Sequence, residues 1–266
     1  MEGEKMEEQV RYIKKTYSRA RRKVYPVHEE FRICMALAFI GGFLEAYTYL
    51  LKGNIFSNAQ TGNFALMAIT FAYYKEPLKA LYYLIPMSAY VIGILLTVRM
   101  PQKFKGRVSW YTLFVIIQFC VFAVVGSLPP ECPYAFTTVA VSFVCAMQYN
   151  TFKACRGLPM ATVFCTNNLR QFAISAAETM QEGRNALVRK GIVYLVDIFF
   201  FVAGAAVGSV LIRALDEAGL GAEHSIWLCC LMLIPVGFRL HFGKNARRIS
   251  RPLADSHTGS IASSAK

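Results

Sequence analysis

Glu45 followed by Gln60-Thr61-Gly62-Asn63 returns 105 positions later as Asn150 followed by Cys165-Thr166-Asn167-Asn168, and the apolar segments around both stretches keep the same spacing. Each stretch is a polar interruption in an apolar context. Non-helical backbone at membrane depth survives only where it is buried in protein or lines a cavity, so a break repeated in two halves is the sequence pointer to a binding site or pathway. The reading predicts an all-α polytopic membrane protein of two related halves.

Outward from these breaks the chain is apolar. Hydrophobic residues make up 55% of the 266 and the mean hydropathy is +0.38. Runs close to spanning length cover Ile33 to Leu51, Ala80 to Val98, Val108 to Leu128, Tyr134 to Thr151, Ile192 to Ile212 and Ile226 to Phe242, which excludes an ordinary soluble domain. No cleavable signal peptide is expected, because the first 32 residues are charged throughout.

The formal charge of +13 reads as topology and not as nucleic-acid binding, since the basic residues cluster beside helix ends. The arm from Arg11 to Arg32, the loop Arg99 to Arg107, the stretch Arg184, Arg189, Lys190 and the tail Arg239 to Arg251 are expected in the cytoplasm. The turn Ser127 to Pro133, which has no Lys or Arg, and the acidic loop around Asp216, Glu217 and Glu223 are expected outside. With six crossings only Lys52, Lys75, Lys79 and Arg213 lie outside. With eight, Lys52, Arg99, Lys103, Lys105, Arg107, Lys153, Arg156 and Arg213 do, so the positive-inside rule favours six. The motif segments, near Phe56 to Tyr74 and Ala161 to Ala177, then become re-entrant. Three spans per half make two inverted three-helix repeats, each carrying a broken helix.

The expected organisation is a basic cytoplasmic arm over 1–32, a first membrane repeat over 33–130, a second over 131–243, and a mostly disordered cytoplasmic tail over 244–266. Within the motifs, Gly62 is read as permitting a sharp turn, a role that the second Asn, Asn168, takes in the second half. Thr61 and Asn63, and Thr166 and Asn168, are read as caps of helices that begin inside the membrane, the first near Phe64. Amides left free there would hold an anion or orient a polar solute. The bland alternative is that Thr and Asn only satisfy broken backbone.

Three ionisable residues stand at depth. Glu45 shares a helical face with Gly41 and Thr48, Arg170 follows the second motif directly, and Asp197 either lines a route or sits near the interface beside Arg189 and Lys190. The candidate pathway residues are therefore Glu45, Gln60, Thr61, Gly62, Asn63, Asn150, Thr166, Asn167, Asn168 and Arg170.

The run Gly41 to Tyr47, then Gly53, Phe56, Asn58-Ala59-Gln60-Thr61-Gly62-Asn63, and later Gln148, Gly157-Leu158-Pro159, Ala161-Thr162 and Thr166-Asn167-Asn168-Leu169-Arg170, resembles the YoaK family of bacterial inner-membrane proteins over about residues 31 to 242. Members often have Asp at the position of Glu45 and Thr-Gly-Asn in the second half as well. The resemblance implies a multi-span protein of the bacterial inner membrane and supplies no activity or substrate.

The eight cysteines show no metal-type pairing, the four histidines have no ligand spacing, and no catalytic constellation is evident, so no metal, cofactor or enzyme activity is expected. The leading expectation is a transporter or channel for a small polar or anionic solute, with Glu45 as proton carrier if transport is coupled. The competing one is a membrane scaffold or partner subunit. The expected partners are the lipid bilayer and the solute, with self-association left open and nucleic acid excluded.

Overall fold

The computed structural model describes residues 25–104, 109–182 and 185–243. The basic arm through residue 24, Lys105, Arg107, Arg184 and the tail from residue 244 lie outside the described residues. The described residues are mostly helical: α1 (Phe31–Leu51), α2 (Gln60–Ala72), α3 (Pro77–Tyr82), α4 (Leu84–Thr97), α5 (Met100–Lys103), α6 (Trp110–Gly126), α7 (Tyr134–Thr151), α8 (Cys165–Glu182), α9 (Asn185–Glu217) and α10 (Trp227–Phe242). A two-residue hairpin, β1 (Ala154–Cys155) with β2 (Leu158–Pro159), lies between α7 and α8.

Local signals explain the boundaries. Pro77 opens α3 where its missing N–H costs nothing. Ser109 caps α6 by accepting from the Thr112 amide at 3.4 Å. The left-handed pair Gly53 and Asn54 follows α1, and Arg156 with Gly157 makes the tip of the hairpin.

Four helical stretches are long and apolar enough to cross a membrane: Phe31–Leu51, Pro77–Lys103, Leu187–Glu217 and Ala222–Phe242. Trp110–Gly126 is apolar but shorter. Helix α7 carries Thr137, Thr138, Ser142, Gln148 and Thr151 in buried positions and is an interior helix. Large apolar side chains such as Phe64, Phe71, Leu95, Phe199 and Phe238 remain exposed, as expected of a surface that meets lipid.

Packing follows an exchange between the halves. The first long helix of the first half, α1, packs mainly on α9 of the second, and α7, which opens the second half, packs mainly on α4 of the first. The α1–α9 seam is made by glycine. A Cβ on Gly42 would lie 1.8 Å from the Phe201 carbonyl oxygen, and one on Gly204 would lie 1.9 Å from that of Phe39. Phe39 faces Gly204 and Phe43 faces Gly208, so the two helices run in the same direction. At the α4–α7 seam a Cβ on Gly93 would lie 2.6 Å from the Phe143 oxygen. Small residues let backbones approach where lipid offers no hydrophobic drive for helix association. Ile40, Phe43, Phe114, Phe122, Val144 and Leu233 then fill a core shared by α1, α6, α7 and α10.

Each end of this bundle is fastened by charge. At the α1 start, Arg239 of α10 pairs with Glu30 through two bonds of 2.7 and 2.8 Å, and Gly243 packs on Val27, so the two ends of the described chain meet. At the other end of α1, Lys52, 2% exposed, pairs with Glu223 at 3.4 Å.

Candidate functional site

Helix α1 brings Glu45 to a buried position, and the chain that follows α1 folds back so that Ser57, Asn58 and Ala59 meet its carboxylate. The Ser57 hydroxyl and the Asn58 amide donate to Oε2 at 2.9 Å each, and the Ala59 amide donates to Oε1 at 2.9 Å. These amides immediately precede α2, where the partial positive charge of a helix start concentrates. The carboxylate thus occupies the position the sequence reading reserved for an anionic solute.

The helix itself starts at Gln60, four residues before the expected Phe64, and Ala59 offers no side-chain cap. Asn63 therefore sits inside the first turn and does other work. Its Oδ1 accepts from the Phe56 amide at 3.0 Å and its Nδ2 donates to the Phe56 carbonyl at 2.7 Å, so the side chain pairs with the extended backbone as a neighbouring strand would. Gln60 joins in, accepting from Asn63 at 3.1 Å and donating to the Ser57 carbonyl at 3.1 Å.

The second half repeats the device. Asn168 Oδ1 accepts from the Ala161 amide at 3.4 Å, and its Nδ2 donates to the Ala161 carbonyl at 2.8 Å, again across seven residues. Here the carboxylate comes from α9: Asn168 Nδ2 also donates to Asp197 Oδ2 at 2.5 Å. Asp197 is 1% exposed and so is buried within the protein.

The two breaks converge on one turn of α1. Asn58 Nδ2 donates to the Gly41 carbonyl at 3.2 Å, and the Thr162 carbonyl lies 3.2 Å from where a Gly41 Cβ would stand. Gln148 links the parts, donating through Nε2 to the Leu37 carbonyl at 3.1 Å and to Thr162 Oγ1 at 3.2 Å while accepting from Gln118 at 2.8 Å.

Several expectations need correction. Gly62 is helical and makes no sharp turn; a Cβ there would lie 3.0 Å from the Phe56 ring, so glycine leaves room for that ring. Asn168, given the turn in the second half, is helical too. Thr61, Thr166 and Asn167 are exposed. Asn150 turns to α4, donating to Thr97 Oγ1 at 2.9 Å, while Gln148 holds the second break. Arg170 is exposed and pairs with neither Glu45 nor Asp197. Ser57, Asn58, Gln118, Gln148 and Thr162 also belong to the site. From sequence, Asn58, Gln148 and Thr162 enter only through the resemblance; the signal for the set is amide and hydroxyl side chains in the breaks, as at Ser57, Asn58 and Thr162, and in apolar helices, as at Gln118 and Gln148.

Five clefts mark other parts of the described surface, among them one beside Glu30, Arg32 and Arg239 and one along Phe119, Leu233 and Phe238. None of the five is lined by Glu45, Asn63 or Asn168. Among the described residues no group of His, Cys, Asp and Glu has the arrangement to hold a metal ion.

No curated protein and no solved structure matches the chain. A family model described as "Protein of unknown function (DUF1275)" matches residues 33–238, and the chain belongs to that family.

Proposed function

We propose that this protein is a bacterial inner-membrane transporter or channel for a small polar solute, coupled to protonation of Glu45. It crosses the membrane six times as two inverted three-helix repeats, with both termini in the cytoplasm. Its partners are the bilayer and the solute.

The observation that carries the proposal is the meeting of both breaks on Gly41, beside a buried carboxylate with no cationic partner among the described residues. Such a group is expensive at membrane depth and marks pathways more often than packing. Several features support the architecture. Helix α2 has 13 residues, about 20 Å of helix, against about 30 Å of hydrocarbon, which suits re-entry. The exchange of packing partners is what a two-fold relation between halves produces. The junction of Val27 and Gly243 at one end fits an even number of crossings.

In this conformation the route is closed. Glu45 holds the Asn58 and Ala59 amides, so a solute reaches them only when the carboxylate takes up a proton and lets go. An anionic solute has to displace it outright. The same closure favours a second reading, a scaffold or partner subunit whose polar groups fix packing, because Glu45, Asn63 and Asn168 all bond within the protein. Reconstitution of the full chain into liposomes, with a panel of small solutes and a trapped pH-sensitive dye, decides between them. Solute-dependent pH change above that of empty vesicles is expected; its absence across the panel leaves the scaffold.

A further inference from the structure

The two carboxylates are joined by a continuous buried seam. From Asp197 it passes through Asn168 to Ala161 and Thr162, then to Gln148 and Gln118, and across Gly41 to Asn58 and Glu45. Asp197, Asn168, Thr162, Gln148, Gln118 and Asn58 are each 1% exposed or less. The seam holds unpartnered acceptors. Asp197 Oδ1, Gln118 Oε1 and Asn58 Oδ1 are buried with no hydrogen-bond partner; among the described residues the other buried side-chain atoms in that condition are the hydroxyls of Ser142 and Ser225, and none is a nitrogen.

An amide oxygen and an ionised carboxylate can only accept, so what completes these three atoms must bring N–H or O–H groups. An anion brings the reverse. Charge points the same way: the seam holds two acidic residues, neither of them in an ion pair with a described residue, and Arg170, the basic group expected there, is exposed. The other titratable groups within electrostatic reach are Cys34 of α1 and Cys165 of α8 for Asp197, and Tyr90 of α4, Cys145 of α7 and again Cys165 for Glu45. None is a cation.

We infer that the seam between Asp197 and Glu45 takes a small cation that donates hydrogen bonds, the chemistry shared by a hydrated proton and an ammonium ion. The inference rests on the transport reading and narrows its solute.

The test uses the full chain in liposomes with a trapped pH-sensitive dye and a potential set by potassium and valinomycin. One arm drives protons alone; a second offers methylammonium at a pH where it is protonated; a third offers tetramethylammonium, which has the charge without the donors; a fourth offers formate and chloride. Flux of protons or methylammonium above empty vesicles is expected, with tetramethylammonium and the anions at background. The first two arms say which cation is carried. Asp197→Asn should cut that flux about tenfold or more, the loss of a bond to a charged group. Anion flux without cation flux overturns the inference and leaves the transport reading standing. Tetramethylammonium carried as well as methylammonium, or unchanged flux in Asp197→Asn, overturns it too, and no flux in any arm removes both readings. The wild-type comparison of cations with anions stands whether or not the variant folds.

Discussion

Replacing Asn168 by Leu keeps the side-chain volume close and removes three hydrogen bonds at once, those to the Ala161 amide and carbonyl and that to Asp197. Ala161 is 4% exposed and Asp197 is 1% exposed, so water cannot replace what is lost. Leaving a buried donor or acceptor unsatisfied costs about 1–3 kcal/mol, and because the Ala161 carbonyl keeps the Phe164 amide at 3.2 Å, the orphaned groups are the Ala161 amide and the Asp197 carboxylate, for a total of about 4 kcal/mol. At about 3 °C per kcal/mol for a domain of this size, the unfolding midpoint in detergent should fall by about 12 °C. Asn63→Leu also removes three bonds, two to Phe56 and one to Gln60, but Phe56 and Gln60 are both half-buried and no carboxylate depends on Asn63. Its fall should be about half as large. The decisive measurement is the double variant. Adding Asp197→Leu to Asn168→Leu removes the orphaned carboxylate, and replacing both partners of a buried bond by apolar groups is far milder than replacing one. The double variant should therefore recover part of the lost midpoint. If it is less stable than Asn168→Leu alone, or if Asn63→Leu and Asn168→Leu shift the midpoint equally, the reasoning about the Asn168–Asp197 pair fails.

Glu45→Gln keeps the shape but turns an NH2 toward one of the two amides that Glu45 accepts from, at about 1–3 kcal/mol, offset in part by removal of a buried charge. Thermal unfolding should show a smaller fall than for Asn168→Leu, while liposome flux loses its dependence on pH; flux with the wild-type pH profile would remove Glu45 from the mechanism. Gly42→Ala and Gly204→Ala drive a Cβ into backbone oxygen across the α1–α9 seam and should prevent recovery of monodisperse protein, whereas Gly191→Ala, where the nearest atoms are 3.5 Å away, should behave as wild type in size-exclusion chromatography. Single cysteines in a Cys-depleted background should be labelled from outside at positions 129 and 216 and protected at 103; external labelling at 103 would refute the six-crossing arrangement.

The helices were legible because apolar runs near spanning length announce themselves, and all six runs contain helix. The breaks were legible for the converse reason, as polar residues in apolar surroundings. The side-chain roles were not. Capping preferences describe residues at a helix end, but Asn63 and Asn168 act from inside the first turn on backbone seven residues earlier, a contact no local propensity encodes. Assignments by matched spacing or adjacency failed by two residues. Two residues are about 200° around a helix, so Gln148 faces the second break while Asn150 faces α4, and Asn168 points inward while Arg170 points out. From sequence Asp197 is open to a route or an interface because Arg189 and Lys190 precede it; in α9 they lie about two turns away along the axis, and Asp197 is buried within the protein.

The exchange of packing partners has a consequence for how the protein is made. The glycine face of α1 finds its counterpart only when α9 emerges, and at about 5–20 residues per second the roughly 160 residues between Gly42 and Gly204 take about 8 to 30 s to synthesise. Throughout that interval the first helix waits with its glycine face around Gly42 uncovered, whereas Glu45 meets Ser57, Asn58 and Ala59 as soon as they emerge. Biogenesis should therefore depend on an insertion factor that shelters a helix whose packing face is still uncovered, and a ribosome stalled before α9 should leave the nascent chain open to degradation. Coexpressed as separate polypeptides, the two halves should each be unstable alone and rescue one another.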